Sequence, residues 1–194
     1  MSIGGSSWDV RLPAGGRRRR GNFFIELLQT VLLALLLYGG VSLATDRVRV
    51  ENISMQPTLY EDHLLLVNKL VYKVRQPTYG EVIIFHHTDN PPEDYVKRVI
   101  GLPGDEVWVK DGRVYVNGVR LNEPYIKEAP NYEDRWIVPE DHYFVLGDNR
   151  NNSSDSHIWG FVHRDKIIGR ADFIYWPLQR AGSLLPPDTV LAAP

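Results

Sequence analysis

The stretch DEVWVKDGRVYVNGVRLN (105–122) decides the fold class of this chain. Valines and aromatic residues alternate with polar residues along it, as in a β-strand with one buried face. Asp111-Gly112 and Asn117-Gly118 interrupt the alternation, and such dipeptides favour two-residue hairpin turns because both residues tolerate positive φ angles. The stretch therefore predicts three consecutive antiparallel strands.

Similar short runs occur on both sides of this stretch. Each is apolar or alternating and is bounded by Gly, Pro, Asn or Asp, and no run after residue 46 has a helical period. These runs are RVRVENI (47–53), HLLLVNKL (63–70), GEVIIFHH (80–87), HYFVLGDN (142–149) and IIGRADFIYWP (167–177). We therefore expect a mostly β domain over 46–194, with an irregular Pro-rich tail at 177–194.

The segment NFFIELLQTVLLALLLYGGVSLAT (22–45) is long and apolar enough to cross a membrane as a helix. Its polar residues Glu26 and Gln29 fall in the first turns, where an interfacial position costs little. The four arginines RRRR (17–20) precede it. By the positive-inside rule, residues 1–21 are then cytoplasmic and residues 46–194 extracytoplasmic.

A cleaved secretory signal peptide is the alternative interpretation of this segment. Its apolar run is longer than the usual core of a signal peptide, and VSLATDRV (41–48) is a mediocre cleavage site. We therefore prefer an uncleaved, single-pass transmembrane helix in contact with membrane lipid.

The composition excludes several classes of function. The 194 residues carry a formal net charge of -2 and no cysteine. The charge points to no general nucleic-acid role. The absence of cysteine excludes disulfides, thiolate catalysis and cysteine metal sites.

Ser54 lies in ENISMQPTL (51–59), where Pro57 prevents a helix. A serine hydroxyl needs a neighbouring base to act as a nucleophile. A Ser-His-Asp triad is possible in principle, and the chain has six histidines, namely His63, His86, His87, His142, His157 and His163. None stands out, because each has the surroundings of a surface or strand-end histidine.

Lys97 is the other candidate base, and it lies among apolar residues in YVKRVIGLPGD (95–105). A lysine with a pKa of about 10.4 is charged at neutral pH and accepts no proton. Burial can lower that pKa by roughly 3–5 units and make a neutral amine available. For an isolated lysine, a buried stem with an exposed charged end is the plainer interpretation.

The segment LGDNRNNSSDSHIWGFV (146–162) is rich in short polar side chains. Its composition fits an ordinary polar turn. It fits equally well a loop that hydrogen-bonds its own backbone and orients neighbouring groups.

Four motifs that follow the apolar segment resemble the conserved boxes of bacterial type I signal peptidases. They are SMQPTL (54–59), YGEVIIF (79–85), YVKRVIGLPGD (95–105) and GDNRNNSSDSHIWGFV (147–162), and the resemblance covers about 46–176. It implies a membrane-bound serine endopeptidase with a Ser-Lys dyad and a compact β-rich fold. Such an enzyme removes signal peptides from secreted precursor proteins at Ala-X-Ala sites, through an acyl-enzyme and without metal or cofactor. It lies in the plasma or thylakoid membrane with an extracytoplasmic catalytic domain.

By motif position, the resemblance makes Ser54 the nucleophile and Lys97 the general base. Ser153 matches the serine that hydrogen-bonds the lysine and orients it. Residues that match those bracing the site are Asp148, Arg150 and Asp155, with Arg98 as the partner of one of these carboxylates.

Three positions depart from the family pattern. Many members have serine or glycine in place of Asn52 and glycine in place of Ile53. The amide N–H of Asn52 could replace the missing hydroxyl donor of the oxyanion hole. His157 stands where other members often carry arginine, so that its ion pair with Asp155 is expected to be weaker or pH-dependent.

The extended segments RVRVEN (47–52) and DYVKR (94–98) could pair with a substrate as an added strand. Candidate pocket residues on and near them are Val48, Val50, Met55, Leu59, Tyr95 and Val96. An ordinary place in the core explains such residues equally well.

Two other functions compete with this one. Self-cleaving repressor-type proteins also use Ser-Lys dyads, but they carry DNA-binding domains, and the N-terminal part of this chain has no helix-turn-helix pattern. A non-catalytic, membrane-tethered β domain would make Ser54 and Lys97 incidental. Labelling of Ser54 by a serine-reactive inhibitor separates it from a protease, because a binding domain predicts none.

Overall fold

A computed structural model describes residues 20–89 and 92–186. The helices are α1 (Arg20–Ala44), α2 (Val71–Val74) and α3 (Ser156–Trp159). The strands are β1 (Thr45–Arg49), β2 (Leu64–Asn68), β3 (Val82–Asp89), β4 (Pro92–Gly101), β5 (Glu106–Lys110), β6 (Arg113–Val116), β7 (Val119–Arg120), β8 (Asp134–Ile137), β9 (His142–Leu146), β10 (Val162–His163), β11 (Ile167–Trp176) and β12 (Gly182–Ser183). The prediction of a mostly β protein with one N-terminal apolar helix is confirmed.

Of the described residues, those up to Gly40 belong to one compact unit, and those from Val41 onward belong to another. Within α1, the apolar stretch Phe23–Ser42 has a mean hydropathy of 1.9 and no buried residues. A helix of that length and composition can cross a bilayer. Most of the predicted cytoplasmic tail (1–21), including three of its four clustered arginines, lies outside the described residues.

The described part of the second unit contains two antiparallel sheets. The larger has eight strands in the order β1-β2-β11-β3-β4-β9-β10, with β12 paired to β11. The smaller has the order β7-β6-β5-β8 and contains both hairpins that the sequence predicts. Asp111 and Asn117 have φ angles of 50° and 51° in the two turns, as two-residue hairpins require.

The larger sheet buries side chains on both faces. In β3, Val82 and Ile84 belong to one apolar cluster, whereas Ile83 and Phe85 belong to another. This double burial explains why the strand has an uninterrupted apolar sequence instead of an alternating one. Side chains of the smaller sheet form a third apolar cluster together with Phe144 of β9.

The structure departs from two expectations. The tail is ordered beyond Pro177, because Leu178–Arg180 forms a 3₁₀ turn and β12 pairs with β11. The buried side chain of Leu184 accounts for this order, whereas residues 187–194 lie outside the described residues. Helices α2 and α3 also follow residue 46, but four residues each are too few to produce a helical period in the sequence.

Phe144→Ala should lower the free energy of unfolding by about 3–5 kcal/mol, because it leaves a cavity beside Trp136 and Phe161. Phe173→Ala is the matched control, since Phe173 is 39% exposed, and it should cost about 1 kcal/mol or less. Urea unfolding of the detergent-solubilised protein, followed by tryptophan fluorescence, measures both. Equal losses in the two variants would contradict the packing described for Phe144.

Candidate active site

Ser54 lies in the turn that follows β1, and Lys97 lies in the middle of β4. Both are almost completely buried, with exposures of 6% and 2%. The Lys97 Nζ atom is 2.7 Å from the Ser54 Oγ atom, which is a hydrogen-bond distance. The fold therefore brings into contact two side chains that are 43 positions apart in the sequence.

Burial lowers the pKa of Lys97 to about 8, because the protein interior solvates a charged amine poorly. The negative charges of Asp155 and Asp148 act in the opposite direction. The ring of Tyr95, with its centroid 5.3 Å from Nζ, also favours the charged form. Half of the Lys97 amines are then neutral near pH 8.

The loop after β9 holds the backbone on both sides of the Ser54 side chain. The N–H of Asn149 donates to the carbonyl oxygen of Ser54 at 3.0 Å, and its side-chain amide donates to that of Ile53 at 3.1 Å. Gly147 approaches so closely that an added Cβ would lie 2.4 Å from the Ser54 oxygen. Position 147 therefore requires glycine.

Arg98, the neighbour of Lys97 on β4, forms a bidentate ion pair with Asp148, with N···O distances of 2.8 and 2.7 Å. Both side chains are buried. Asp148 also accepts from the hydroxyl of Thr58, and Arg98 donates to the carbonyl oxygen of Gly80. Removal of one partner from a buried pair typically costs about 3–5 kcal/mol, so this pair fixes the loop against β4.

Arg150 is buried inside the same loop and supports it from within. Its Nε atom donates to the Gly147 carbonyl oxygen at 3.1 Å, and its guanidinium group pairs with Glu123. The sequence gives no signal for Glu123, because this carboxylate comes from a polar segment 27 positions earlier.

Asp155 caps α3 and ties the two ends of the loop together. One carboxylate oxygen accepts from the Gly147 N–H at 2.9 Å, and the other lies 2.6 Å from Nδ1 of His157. The His157 ring stacks on Tyr132 with 4.0 Å between the centroids. Histidine at this position therefore keeps a direct contact with the Asp155 carboxylate.

The hydroxyl of Ser54 has a second contact, with Asn52. The Asn52 Oδ1 atom lies 2.7 Å from Ser54 Oγ and 3.2 Å from Ser54 N. The sequence suggested the amide N–H of Asn52 as a donor, whereas here its oxygen faces Ser54, because the Ser54 N–H needs an acceptor. Among the described residues, no histidine hydrogen-bonds the Ser54 hydroxyl.

An open groove of about 820 Å³ is lined by residues that flank Ser54. Its walls are formed by 47–52 and Met55 on one side and by His86 and 93–96 on the other. The lining includes five of the six candidate pocket residues, namely Val48, Val50, Met55, Tyr95 and Val96. The structure corrects the prediction for the sixth, Leu59. This side chain is fully buried in the apolar cluster of the larger sheet and does not line the groove.

Comparisons with known proteins identify the family of this chain. The chain matches the family described as signal peptidase, peptidase S26, over residues 24–176. The chain belongs to the signal peptidase family. It is therefore a serine-type peptidase of a family that cleaves signal peptides.

The similarity to curated relatives extends over most of this chain and most of each relative. A probable signal peptidase I-2 of Synechocystis sp. is 46% identical over 84% of this chain and 78% of its own length. The signal peptidase I of Leptolyngbya laminosa is 42% identical over 91% and 92%, and that of Bacillus caldolyticus is 37% identical over 84% and 93%. A crystal structure of signal peptidase I from Enterococcus faecalis V583 is 33% identical, with a TM-score of 0.45, and covers 50% of this chain and 97% of its own.

Ser153 does not make the contact that the family resemblance implies. Its hydroxyl is buried without a hydrogen-bond partner in the described structure, and Lys97 Nζ donates to Ser54 instead. The Ser153 hydroxyl packs instead against Gly147, where an added Cβ would be 2.3 Å from the Ser153 Oγ atom.

Metal binding has no support in the described part of the chain. Within residues 20–89 and 92–186, no three His, Asp or Glu side chains are grouped so that they could hold an ion.

Gly147→Ala should lower kcat by about 10²-fold, because a Cβ at this position displaces the Ser54 backbone, and a shift of about 1 Å in a reacting group can cost that much. Gly182→Ala is the matched control, since its Cβ would meet no atom closer than 4.0 Å. Steady-state cleavage of a precursor peptide measures both variants, with thermal unfolding in parallel. Unchanged kcat in Gly147→Ala would contradict the close approach.

Proposed function

We propose that this chain is a membrane-bound serine endopeptidase that cuts signal peptides from precursor proteins, with Ser54 as nucleophile and Lys97 as general base. The observation that carries the proposal is the 2.7 Å contact between Lys97 Nζ and Ser54 Oγ in a buried site. A lysine can take the hydroxyl proton only when its amine is neutral, and burial favours that form.

In the acylation step, neutral Lys97 takes the proton of Ser54 Oγ as this oxygen attacks the scissile carbonyl carbon. The Ser54 N–H and the side-chain amide of Asn52 donate to the oxyanion that forms. The Lys97 ammonium then gives its proton to the leaving amine. The C–N bond breaks, and the signal peptide remains as an ester on Ser54.

In the deacylation step, Lys97 takes a proton from a water molecule, whose oxygen attacks the ester carbonyl carbon. Collapse of this second tetrahedral intermediate returns the proton to Ser54 Oγ. The cut signal peptide leaves with a free carboxyl group. These steps balance without a metal or a cofactor.

The shape of the groove supports specificity for small residues at Ala-X-Ala sites. A substrate that adds as a strand between 47–52 and 93–96 turns alternate side chains to the same face. The residues one and three positions before the cut then point towards the same wall. Val50 and Met55 are buried in that wall, which leaves shallow pockets that suit alanine.

Helix α1 supports attachment to a membrane. By the positive-inside rule the N-terminus is cytoplasmic, and the catalytic unit is then on the extracytoplasmic side of a plasma or thylakoid membrane. Precursors whose own apolar segments lie in the same membrane meet the enzyme there at a raised effective concentration.

Ser54→Ala and Lys97→Ala should each abolish cleavage, with a loss of at least about 10⁴-fold, because each removes a group that the chemical step requires. The substrate is a precursor with one Ala-X-Ala site, incubated with the full-length protein in detergent. Mass spectrometry then identifies the products. The wild-type protein should cut after the second alanine.

Lys110→Ala provides the control, since Lys110 is an exposed lysine outside the site, and it should cut at the wild-type rate. Cleavage that persists in Lys97→Ala but not in Ser54→Ala would assign the base to another residue. An uncut precursor with the wild-type protein would favour a binding domain over a protease.

The pH dependence of kcat/KM should show an acid limb near pH 8. Lys97 must be neutral to act as a base, and its pKa of about 8 means that the rate rises as the pH increases through that value. Below the limb, each pH unit should cost about tenfold. Initial rates from pH 5 to 10 measure the limb, and a limb near 6.5 would indicate a histidine base instead.

A further inference from the structure

The orientation of the Asn52 side chain is not explained by a donor role alone. Its Oδ1 atom lies 3.2 Å from Ser54 N and 2.7 Å from Ser54 Oγ. A backbone N–H is a donor, so the atom that faces it has to be an acceptor, and the acceptor of this side chain is its oxygen. Asn52 therefore accepts hydrogen bonds from both donors of Ser54.

This orientation determines where the hydroxyl proton of Ser54 points. A hydroxyl carries one proton, and its donation to Asn52 leaves only the oxygen lone pairs for Lys97. The Lys97 Nζ atom, 2.7 Å from the same Oγ, is then the donor. The proton thus points away from the base that has to take it, and the N–H that an oxyanion needs is already occupied.

We infer that the Asn52 carboxamide has two positions in the catalytic cycle, one that holds Ser54 at rest and one that assists acylation. In the resting position, Oδ1 accepts from the N–H and the hydroxyl of Ser54. A half-turn about χ2 brings the NH2 group to the place of Oδ1. The inference rests on the roles proposed above for Ser54 and Lys97.

The half-turn has three consequences for the reaction. It frees the Ser54 N–H for the carbonyl oxygen of the substrate. It supplies the Asn52 amide as a second donor to the same oxygen. It also leaves Lys97 as the acceptor for the hydroxyl proton, which is the arrangement that general-base catalysis needs.

The surroundings of Asn52 allow this movement and couple it to the substrate. Asn52 is exposed and lies on the wall of the groove. Its NH2 group has no hydrogen-bond partner in the described structure, so the turn breaks no other contact of that group. The χ2 torsion of asparagine is broad. A substrate carbonyl oxygen competes with Oδ1 for the Ser54 N–H, and binding therefore drives the turn.

The test compares the pH dependence of kcat/KM, which reports the free enzyme, with that of kcat, which reports the substrate complex. The full-length protein in detergent cuts a precursor peptide with one Ala-X-Ala site. The variants are Asn52→Ala, Asn52→Asp and, as a control at an exposed asparagine outside the site, Asn122→Ala. Asparagine and aspartate have the same shape, but an aspartate carboxylate has no donor.

Asn52→Ala removes the resting acceptor of the Ser54 hydroxyl. The hydroxyl then donates to Lys97 and favours its neutral form, so the acid limb of kcat/KM should move to lower pH by up to about one unit. The limb of kcat should stay in place, because the resting position is absent from the substrate complex. The plateau of kcat should fall by about 10²–10³-fold for the loss of a donor.

Asn52→Asp keeps the acceptor and adds a negative charge beside Lys97. The acid limb of kcat/KM should therefore move to higher pH, with a plateau as low as that of Asn52→Ala. The other groups that act on Lys97 are unchanged in every variant, namely Asp148, Asp155, Tyr95 and the His87 ring that stacks on Tyr95.

If the acid limb of kcat/KM stays at the same pH in Asn52→Ala, the inference that Asn52 has two positions is wrong. An acid limb that shifts equally in kcat/KM and in kcat would also contradict the inference. In either case Asn52 would be a fixed donor or a structural residue. Persistent cleavage in Ser54→Ala or Lys97→Ala would instead contradict the proposed function. The failure of the proposed function can therefore be distinguished from the failure of the inference about Asn52.

Discussion

The approach of Gly147 to the carbonyl oxygen of Ser54 is the constraint on which the site depends. β9 pairs with the second half of β4, so the chain leaves β9 beside Lys97. The absence of a side chain at Gly147 lets the loop reach the Ser54 turn, where Asn149 donates to the Ser54 oxygen. In the described structure, no strand pairing joins that turn to β4. The loop therefore sets the distance between Ser54 and Lys97.

Burial, together with the pairing of the nearby carboxylates, determines the charge state of the Lys97 amine. The two buried guanidinium groups each have a carboxylate partner, in the pairs Arg98–Asp148 and Arg150–Glu123. Lys97 has no ion pair among the described residues, and its pKa responds to Asp155 and Asp148 only through their charge. A direct ion pair would hold the amine charged. Because Arg98 pairs with Asp148 and His157 contacts Asp155, neither carboxylate pairs directly with Lys97, and burial lowers the pKa of Lys97 to about 8.

Local signals in the sequence predict the strands, but they do not predict contacts between distant segments. The hairpins at Asp111 and Asn117 depend on a few neighbouring residues, and the structure contains both. Composition makes Lys97 one candidate base beside six histidines, and only the resemblance to a family selects it as the partner of Ser54. The pairing of Glu123 with Arg150 cannot be predicted from local sequence, because it depends on the tertiary path of the chain.

A motif also identifies a residue without fixing the direction of its polar atoms. Ser153 stands where its motif places it, and Asn52 stands two positions before Ser54, where the family resemblance places an oxyanion donor. The Ser153 hydroxyl lies over Gly147, and the Asn52 oxygen faces Ser54. In the same way, an apolar side chain in a short strand or turn suits a pocket and a core equally, and only the structure assigns Leu59 to the core.

The proposed substrate groove lies between the edge strand β1 and the first half of β4, which β9 leaves unpaired in the described structure. β1 is the edge strand of the larger sheet, and β4 pairs with β9 only from Arg98 onward. An open edge is a liability, because it offers free backbone groups to any extended chain. The unpaired part of β4 reaches Lys97, which contacts Ser54, so an extended chain in the groove would bring its backbone close to the proposed nucleophile. The charged walls at Arg47 and Glu93 oppose pairing with another apolar edge, and the edges stay open for a substrate.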